Sequence, residues 1–381
     1  MMKFRLAGSA GNRERRSHSP LMVIAVMSAM VLVPTACATS ASDKEGATEY
    51  KLRYAHYLGP DSAQSISIEK WAKRIEELTD SKVKIEFFYQ GSFVEATEIL
   101  SAVGDGRADI GYVANFYYPA ELTMASVAEI PFVTSNAEAL VRTADTLYKA
   151  SPEFRDEYNQ QGVEVLTFNP ISANLLGSAK TYGEPAAVKD EKIRAVGNVA
   201  GALKALDASP VALDATEIYE AIDRGVIDGY TSFPFEIVTD FGLQEVAPNV
   251  VDTGTGNYVL PASVINLNLW KSMPDDVRDA FNTANEEHID NAIRDLVNVE
   301  DRVCTAIIDA GGHVTIWDDT EVASWKADVG QEFRNTWLEN VSEKYGDEVA
   351  SKFLDEYLVE LNKNEENSSY IPGIQRCADS E

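Results

Sequence analysis

Cysteine, histidine and positive charge are all scarce in this sequence of 381 residues. It contains three cysteines and four histidines, and 33 lysine and arginine residues stand against 61 acidic residues, for a net charge of −28. A chain of this length buries enough apolar surface to fold without a disulfide or metal scaffold. The acidic excess repels phosphate backbones and anionic lipid surfaces, which argues against a nucleic-acid partner.

Apolar stretches long enough to span a membrane are also missing. The stretch from Leu21 to Val33 has 13 residues, which is too few to cross a hydrocarbon core of about 30 Å as a helix. Five basic residues precede it and small residues follow it. This order is typical of an export signal, so we expect residues 1–36 to be a signal peptide and the protein to be exported.

Cys37 follows this stretch, and its surroundings allow two interpretations. The order T-A-C resembles a bacterial lipobox, in which the cysteine is lipidated, although Pro34 stands where such sites usually carry leucine. The order A-C-A equally fits an ordinary cleavage site. We expect lipidation of Cys37, with residues 37–48 as a flexible tether because they are small and polar. The protein would then lie in the periplasm or on the outer face of the cytoplasmic membrane, with membrane contact only through the lipid anchor.

Sequence signatures of catalysis and metal binding are missing too. The chain has no nucleophile elbow and no zinc-protease, phosphate-loop or paired-cysteine motif, each of which would indicate a known chemistry. His56, His288 and His313 lie far apart in the sequence, without the spacing of metal ligands. We therefore expect no catalytic residue, no metal site and no cofactor.

The sequence does contain a regular alternation of strand and helix patterns. A first series has strand patterns at 50–56, 83–89 and 108–113, and a second runs from 163–169 to 226–230. Helical periodicity separates the strands, which predicts βαβ units and mostly parallel sheets in an α/β fold. Since no low-complexity linker divides the two series, we expect two lobes that share crossing strands.

Residues 274–310 predict one unusually long helix, because after the first residue they contain neither proline nor glycine. Apolar residues recur along one stripe, namely Val277, Phe281, Ala284, Ala292, Leu296, Val299, Val303 and Ile307. At 1.5 Å per residue the helix would be on the order of 50 Å long. This exceeds the span of one lobe, so we expect the helix to cross both.

Cys304 and Cys377 are the remaining cysteines, and the sequence alone does not decide whether they form a disulfide. Export permits a disulfide, and two cysteines allow a single pairing. Alternatively, Cys304 is a small apolar residue of the long helix and Cys377 lies in a loose tail.

The segment 191–237 resembles the substrate-binding proteins of TRAP transporters, the DctP-like family. The shared features are an arginine that ends the strand K-I-R, an L-x-A-x-P-V turn, E-x-Y-x-A and G-V-I-D-G. Earlier in the chain, RYAHYLGPDS, WAKRIEELTD, VKIEFFYQGSF, GRADIGY and IPFV follow one another in the family's order, and the long helix before GGHV matches as well. The resemblance covers residues 50–345.

This resemblance implies a two-lobed fold like that of periplasmic binding proteins, with hinge strands and a ligand cleft between the lobes. We expect lobe I to comprise residues 49–170 with 255–298, and lobe II residues 171–254 with 299–381. Family members are receptors that bind organic acids and deliver them to the membrane subunits of an ion-gradient-driven transporter. The cleft would lie beyond the carboxyl ends of the parallel strands.

The resemblance also implies where the ligand is held. Arg194 occupies the position of the family's carboxylate-binding arginine, and a guanidinium can grip a carboxylate through two parallel hydrogen bonds. Asn174 stands where sialic-acid-binding members carry a second arginine, which makes a small or aromatic monocarboxylate more expected than a dicarboxylate. Ser232 and Phe233 replace an amide-bearing segment, although Phe233 equally fits the core. Because its partner would arrive with the ligand, we expect Arg194 to matter little for folding.

Lobe I offers further candidate ligand contacts in the loops that follow its strands. These are Asn115, Tyr117 and Tyr57, whose amide and phenol groups suit hydrogen bonding across a closed cleft.

Two other functions are compatible with the sequence. A ligand-sensing protein could present its closed form to a signalling partner, since no motif marks a docking surface. An exported enzyme acting on a small organic acid would need a general base near Arg194, where the sequence supplies no histidine.

Overall fold

The computed structural model describes residues 49–380. The expected signal peptide, the lipidation site Cys37 and the tether lie outside these residues. The strands are β1 (Tyr50–Ala55), β2 (Val83–Phe88), β3 (Ile110–Ala114), β4 (Val163–Phe168), β5 (Leu176–Ser178), β6 (Lys192–Arg194), β7 (Ser209–Val211), β8 (Gly229–Tyr230), β9 (Asn249–Asp252), β10 (Pro261–Asn266) and β11 (Val314–Ile316). The helices are α1 (Ala63–Leu78), α2 (Ile99–Gly104), α3 (Ala137–Ala150), α4 (Pro152–Asn159), α5 (Gly197–Lys204), α6 (Ile218–Asp223), α7 (Leu243–Val246), α8 (Leu267–Ser272), α9 (Asp275–Asp309), α10 (Asp319–Tyr345), α11 (Asp347–Asn367) and α12 (Gly373–Ala378). Among these helices of the described chain, none has both the length and the apolarity to cross a membrane.

Two sheets organise the lobes, with strand orders β2-β1-β3-β10-β4 and β11-β9-β5-β8-β6-β7. In each sheet one strand opposes its neighbours, because β10 pairs antiparallel with β3 and β4, and β5 pairs antiparallel with β8 and β9. The other strand pairs are parallel. The expected α/β fold with two lobes and mostly parallel sheets is therefore confirmed, with β5 and β10 as the opposing strands.

The local sequence explains where helix α1 of the first lobe begins and which face it buries. Helix α1 starts after Ser62, whose side chain accepts a hydrogen bond from the backbone N–H of Ser65 and so caps the helix. Its buried face carries Ile68, Trp71 and Ile75, which pack into the core of the first sheet. The loops that form the candidate functional site, described below, extend from this core.

The chain passes between the sheets at two extended segments. Residues 169–175 lead from β4 to β5, and residues 253–260 lead from β9 to β10. The segments are bonded to each other, since the N–H of Asn174 donates to the carbonyl of Gly256 at 3.0 Å. They occupy the place in the chain expected of hinge strands.

Helix α9 runs through both lobes, as predicted. It has 35 residues, or about 50 Å at 1.5 Å per residue. Its first half buries Val277 and Phe281 in the core of the first sheet, and its second half buries Val299 and Ile307 in the core of the second. Near the middle, His288 is buried and its Nε2 lies 3.0 Å from Oδ1 of Asn169.

The C-terminal region corrects the expected division into lobes. Trp325 of α10 packs in the second lobe, but Trp337 of the same helix packs in the first. Helix α11 lies against α3, with Phe353 and Tyr357 in the first-lobe core. The expectation that residues 299–381 return to lobe II is thus wrong for α11, because its apolar face completes the cover of lobe I.

Helix α12 returns to the second lobe and is fastened to α9. The structure joins Cys304 of α9 to Cys377 of α12 in a disulfide, with 5.5 Å between their Cα atoms. Close by, Nη2 of Arg376 lies 3.2 Å from Oε2 of the buried Glu300. A Cβ on Gly373 would stand 2.5 Å from the Glu300 side chain, so glycine is required for this close approach.

Candidate functional site

The candidate site lies at one edge of the first sheet. Strand β3 ends at Ala114 and β10 begins at Pro261, and these two residues are paired. Because β10 runs antiparallel to β3, the loop that precedes β10 meets the loop that follows β3. Both crossing segments adjoin this edge, which brings the second lobe close to it.

Arg194 ends β6 and is buried, with 6% of its surface exposed. Its guanidinium donates to three backbone carbonyls, from Nε to Leu213 and from Nη1 to Thr231 and Ser232, each at 3.0 Å. Nη2 donates to no residue of the described chain, and no carboxylate in residues 49–380 forms an ion pair with this side chain. Burial lowers the pKa of the guanidinium, and the charge of the nearby Asp214 offsets a small part of this decrease.

These contacts change two expectations about Arg194. A two-pronged grip on a carboxylate needs two neighbouring nitrogens, but Nε and Nη1 are already occupied. One carboxylate oxygen can bind at Nη2, so the other oxygen needs a different donor. The same contacts correct the expectation that Arg194 matters little for folding, because they hold together the loops that follow β7 and β8.

Four side chains, Tyr57, Phe116, Tyr117 and Tyr258, form one continuous surface that we call the aromatic wall. The ring centroids are 5.6 Å apart for Tyr57 and Tyr117, 4.1 Å for Phe116 and Tyr117, and 6.4 Å for Phe116 and Tyr258. The four rings pack around a small cluster at the end of β3. Within the described residues the three phenol hydroxyls have no hydrogen-bond partner. The wall therefore combines flat apolar faces with free donors.

The aromatic wall and Arg194 belong to one site. Burial raises the pKa of Tyr117 and of Tyr258, and the positive charge of Arg194 partly offsets this increase in both. Beside them, Nδ2 of Asn198 donates to the carbonyl of Glu129 at 3.1 Å and links the two lobes. The free Nη2 of Arg194 and the free hydroxyls of Tyr117 and Tyr258 are thus hydrogen-bond donors of the same candidate site.

Asn174 and Ser232 are committed to the protein framework. Oδ1 of Asn174 accepts from the N–H of Phe233 at 3.0 Å, and its Nδ2 donates to the hydroxyl of Thr255 at 2.9 Å. The Ser232 hydroxyl accepts from the N–H of Val196 at 3.0 Å and donates to the Val196 carbonyl at 2.8 Å. Ser232 has a φ of +53°, a strained value that its hydrogen bonds hold in place.

Asn115 and Phe233 are likewise occupied. Oδ1 of Asn115 accepts from the N–H of Leu260 at 2.7 Å, and its Nδ2 donates to Oε1 of Glu129 at 2.5 Å. The ring of Phe233 packs in the second-lobe core at 5.3 Å from that of Tyr230. Of the seven residues predicted to bind ligand, the structure brings together three that keep a free hydrogen-bond donor, namely Arg194, Tyr117 and Tyr57. We assign the other four to the protein framework.

Sequence reasoning missed Tyr258 as a site residue. It follows the turn-forming sequence Gly254-Thr255-Gly256, which carries no sign of a ligand. The available signal was its position just before an apolar strand, PASVIN. That signal becomes useful only when the strand is known to be antiparallel, because its start then lies at the ligand edge.

Two of the three histidines in the described residues, His56 and His288, are buried in the protein interior. His56 is buried, its Nδ1 accepts from the N–H of Leu58 at 3.1 Å, and burial lowers its pKa to about 3. Burial likewise lowers the pKa of His288 to about 4. His313 directly precedes β11. In the portion that the structure describes, no group of three or more His, Cys, Asp or Glu side chains is placed to hold a metal ion.

Glu236 lies buried behind the site. Its Oε1 accepts from Nε2 of Gln64 at 2.7 Å, and its Oε2 accepts from the N–H of Ser172 at 3.3 Å. Burial, with a smaller contribution from the nearby Glu300, raises the pKa of Glu236 from 4.5 to about 7. The folded protein therefore binds this proton more tightly than the unfolded chain does.

The melting temperature should consequently fall as the pH rises from about 4.5 to about 7, since deprotonation then favours the unfolded chain. Scanning calorimetry of Glu236→Gln should give a shallower fall than the wild type. Glu220→Gln, which alters an exposed acid on α6, should match the wild type. Equal slopes in all three proteins would contradict a titrating Glu236.

Comparison of the sequence with known proteins identifies the family to which the chain belongs. The model of the bacterial extracellular solute-binding protein family 7 matches residues 54–340. The ectoine-binding periplasmic protein TeaA of Halomonas elongata is 22% identical over 306 residues, which cover 79% of this chain and 88% of TeaA. The C4-dicarboxylate-binding periplasmic protein DctP of Rhodobacter capsulatus is 24% identical over 264 residues, which cover 68% of this chain and 78% of that protein.

Solved structures agree on the fold. A TRAP periplasmic solute binding protein from Desulfovibrio salexigens superposes with a TM-score of 0.74 at 24% identity, covering 85% of this chain and 99% of its own. A marine metagenome TRAP protein specific for aromatic acid ligands gives a TM-score of 0.72 at 18% identity, covering 84% and 99%. The resemblance identified in the sequence is confirmed. Because the family model matches most of its length, the chain belongs to the bacterial extracellular solute-binding protein family 7, the DctP family.

Proposed function

We propose that this protein is the extracytoplasmic receptor of a TRAP-type transporter and binds a small organic acid through its carboxylate. The observation that carries the proposal is Arg194, a buried guanidinium whose Nη2 is free and which forms no ion pair with a carboxylate in residues 49–380. A buried cation is costly unless it is paired, so a carboxylate from solution is the partner that this site lacks. The aromatic wall supplies the surface against which the rest of the acid lies.

Relatives support an organic acid as the ligand. Proteins of similar sequence are named for binding C4-dicarboxylates and monocarboxylate 2-oxoacids. Proteins of similar fold hold benzoate, mandelate or D-glucuronate. Each of these ligands carries a carboxylate, which is the group that Arg194 is placed to receive.

Delivery to membrane subunits and export follow from the same assignment. The bound receptor would dock on the transporter, which moves the acid with an ion gradient rather than ATP. Residues 1–36 would direct export, and a lipidated Cys37 would hold the receptor at the outer face of the membrane through the tether 37–48. Binding without chemistry fits the site, because Arg194 has no histidine beside it and His56 is buried with a pKa near 3.

The lobes should close on the ligand, since the crossing segments allow α/β lobes to rotate as bodies. Small-angle scattering should give a smaller radius of gyration with a saturating organic acid than without it. Ligand at about 100 times its dissociation constant should also add about 2.7 kcal/mol to the free energy of unfolding. An unchanged scattering profile at saturation would argue against the receptor, and conversion of the acid, detected by mass spectrometry, would favour an enzyme.

A further inference from the structure

Four buried polar atoms near the aromatic wall have no hydrogen-bond partner within the described chain. They are Nε2 of His56, Oε1 of Gln64, the hydroxyl of Tyr112 and Oδ1 of Asn257, and we call them the inner polar cluster. Native proteins leave few such groups unpaired, and each unpaired group costs roughly as much as a lost hydrogen bond. Two of the four, on His56 and Tyr112, belong to rings that stack on each other, so a ligand hydroxyl placed beside that pair would meet partners that the protein leaves unpaired.

Ring contacts connect this cluster to the aromatic wall. The ring of Tyr112 stacks on that of His56, with 4.3 Å between centroids. Tyr57 then joins the cluster to the wall, because its ring lies 5.6 Å from that of Tyr112 and 5.6 Å from that of Tyr117. The inner polar cluster therefore continues the surface that begins at Arg194.

The crossing segment brings in the two amides. Nε2 of Gln64 donates to the carbonyl of Pro170 at 3.4 Å, and Nδ2 of Asn257 donates to the carbonyl of Ile171 at 2.8 Å. Ile171 packs in the same small cluster as the rings of the aromatic wall. Each amide nitrogen thus donates to the crossing segment, although Nε2 of Gln64 lies closer to Oε1 of Glu236, at 2.7 Å, and each amide oxygen is unpaired.

Charge distinguishes the two ends of the site. Burial lowers the pKa of His56 to about 3 and raises that of Tyr112 well above 10, so both are neutral at physiological pH. Arg194 is the one cation of residues 49–380 that influences the pKa of Tyr117 or Tyr258. A second carboxylate at the inner end would find no positive charge, whereas an uncharged hydroxyl would find both donors and acceptors.

We propose that the ligand is a hydroxylated aromatic monocarboxylate. Its carboxylate binds at Nη2 of Arg194, its ring lies against the aromatic wall, and its hydroxyl enters the inner polar cluster. Ring-on-ring contact favours an aromatic body, since stacked or edge-on pairs gain more than their buried area alone. This inference rests on the proposed function, because it takes Arg194 as the partner of the carboxylate.

Calorimetric titration with five probes tests the proposal: benzoate, 3-hydroxybenzoate, 4-hydroxybenzoate, succinate and ectoine. The better hydroxybenzoate should bind about tenfold tighter than benzoate, because its hydroxyl satisfies buried groups that benzoate leaves unpaired. Succinate and ectoine, which carry a second charge, should bind more weakly than benzoate.

Tyr112→Phe supplies the variant test. It keeps the ring that stacks on His56 and removes an unpaired hydroxyl, so the fold should be retained. The advantage of the hydroxybenzoate over benzoate should shrink several-fold. Tyr357→Phe is the matched control, since it removes a buried, unpaired hydroxyl on α11 in the first-lobe core, and it should leave the advantage unchanged.

The outcomes separate this inference from the proposed function. If the carboxylates bind through Arg194 but benzoate equals both hydroxybenzoates, or succinate or ectoine binds tightest, the ligand class is overturned and the receptor stands. An unchanged hydroxyl preference in Tyr112→Phe overturns the inner polar cluster as the hydroxyl's partner. If no probe binds, the ligand class is overturned, whereas the proposed function is overturned if an organic acid binds and Arg194→Ala leaves its affinity unchanged.

Discussion

Replacing Arg194 by alanine should weaken binding of the organic acid by roughly two to four decades. The ligand carboxylate would enter a buried site without its cation, and removing one partner of a buried ion pair typically costs about 3–5 kcal/mol. Arg194→Lys keeps a positive charge but loses the fixed nitrogens that bind Leu213 and Thr231. It should therefore recover only part of the affinity.

The same substitution should lower the melting temperature of the unliganded protein. Alanine leaves three backbone carbonyls without their donor, and a hydrogen bond from a charged donor contributes roughly 1.5–3 kcal/mol. Relief from burying an unpaired cation offsets part of this loss. A lower melting temperature alone is therefore compatible with Arg194 as the ligand's partner.

Arg376→Ala is the control that separates stability from binding. It breaks a partly buried ion pair with Glu300 between α12 and α9, so it should also lower the melting temperature. Ligand affinity, measured by calorimetric titration, should stay within about twofold of the wild type because Arg376 contacts no residue of the site. A loss of less than tenfold in Arg194→Ala would contradict the assigned carboxylate site.

Removing the disulfide between Cys304 and Cys377 should destabilise the protein by about 4 kcal/mol. The bond closes a loop with a sequence separation of 73 residues, and a loop of this length restricts the unfolded chain by about that free energy. Helix α12 has only six residues, so it depends on this bond and on its apolar contacts with α9 to stay in place.

Thermal melts with and without reductant check this expectation. Reduced wild type and the double variant Cys304→Ser, Cys377→Ser should melt at the same, lower temperature, and reductant should not affect the double variant. Ligand affinity should be nearly unchanged, since the bond lies away from the aromatic wall. A wild-type melting temperature that reductant does not alter would rule out a stabilising disulfide.

Much of the fold could be predicted because its signals are local. The stripe from Val277 to Ile307 fixes the long helix, and alternating residues such as Val83 and Ile85 indicate the strands. The directions of β5 and β10 could not be predicted, because a short buried strand has the same composition in either direction. The packing of α11 on lobe I could not be predicted for a similar reason, since the apolar face of a helix does not indicate which lobe's core it covers.

The site was predictable only in part. The motif around Arg194 gave its place at a strand end, but its carbonyl partners come from loops that the sequence does not bring together. Asn115 and Asn174 show the limit most clearly, because an amide in a loop suits a ligand or a neighbouring backbone equally well. Their buried hydrogen bonds become evident only once the crossing segments are in place.

The length of α9 restricts how the lobes can move. Each half of the helix is embedded in a different core, and a sharp kink would break the main-chain bonds that hold a proline-free helix straight. Rotation of one lobe about the helix axis leaves those bonds intact, as does a slight bend spread over the turns around His288. Closure of the lobes on a ligand should thus proceed through small rotations and a distributed bend of α9, with the helix remaining continuous throughout.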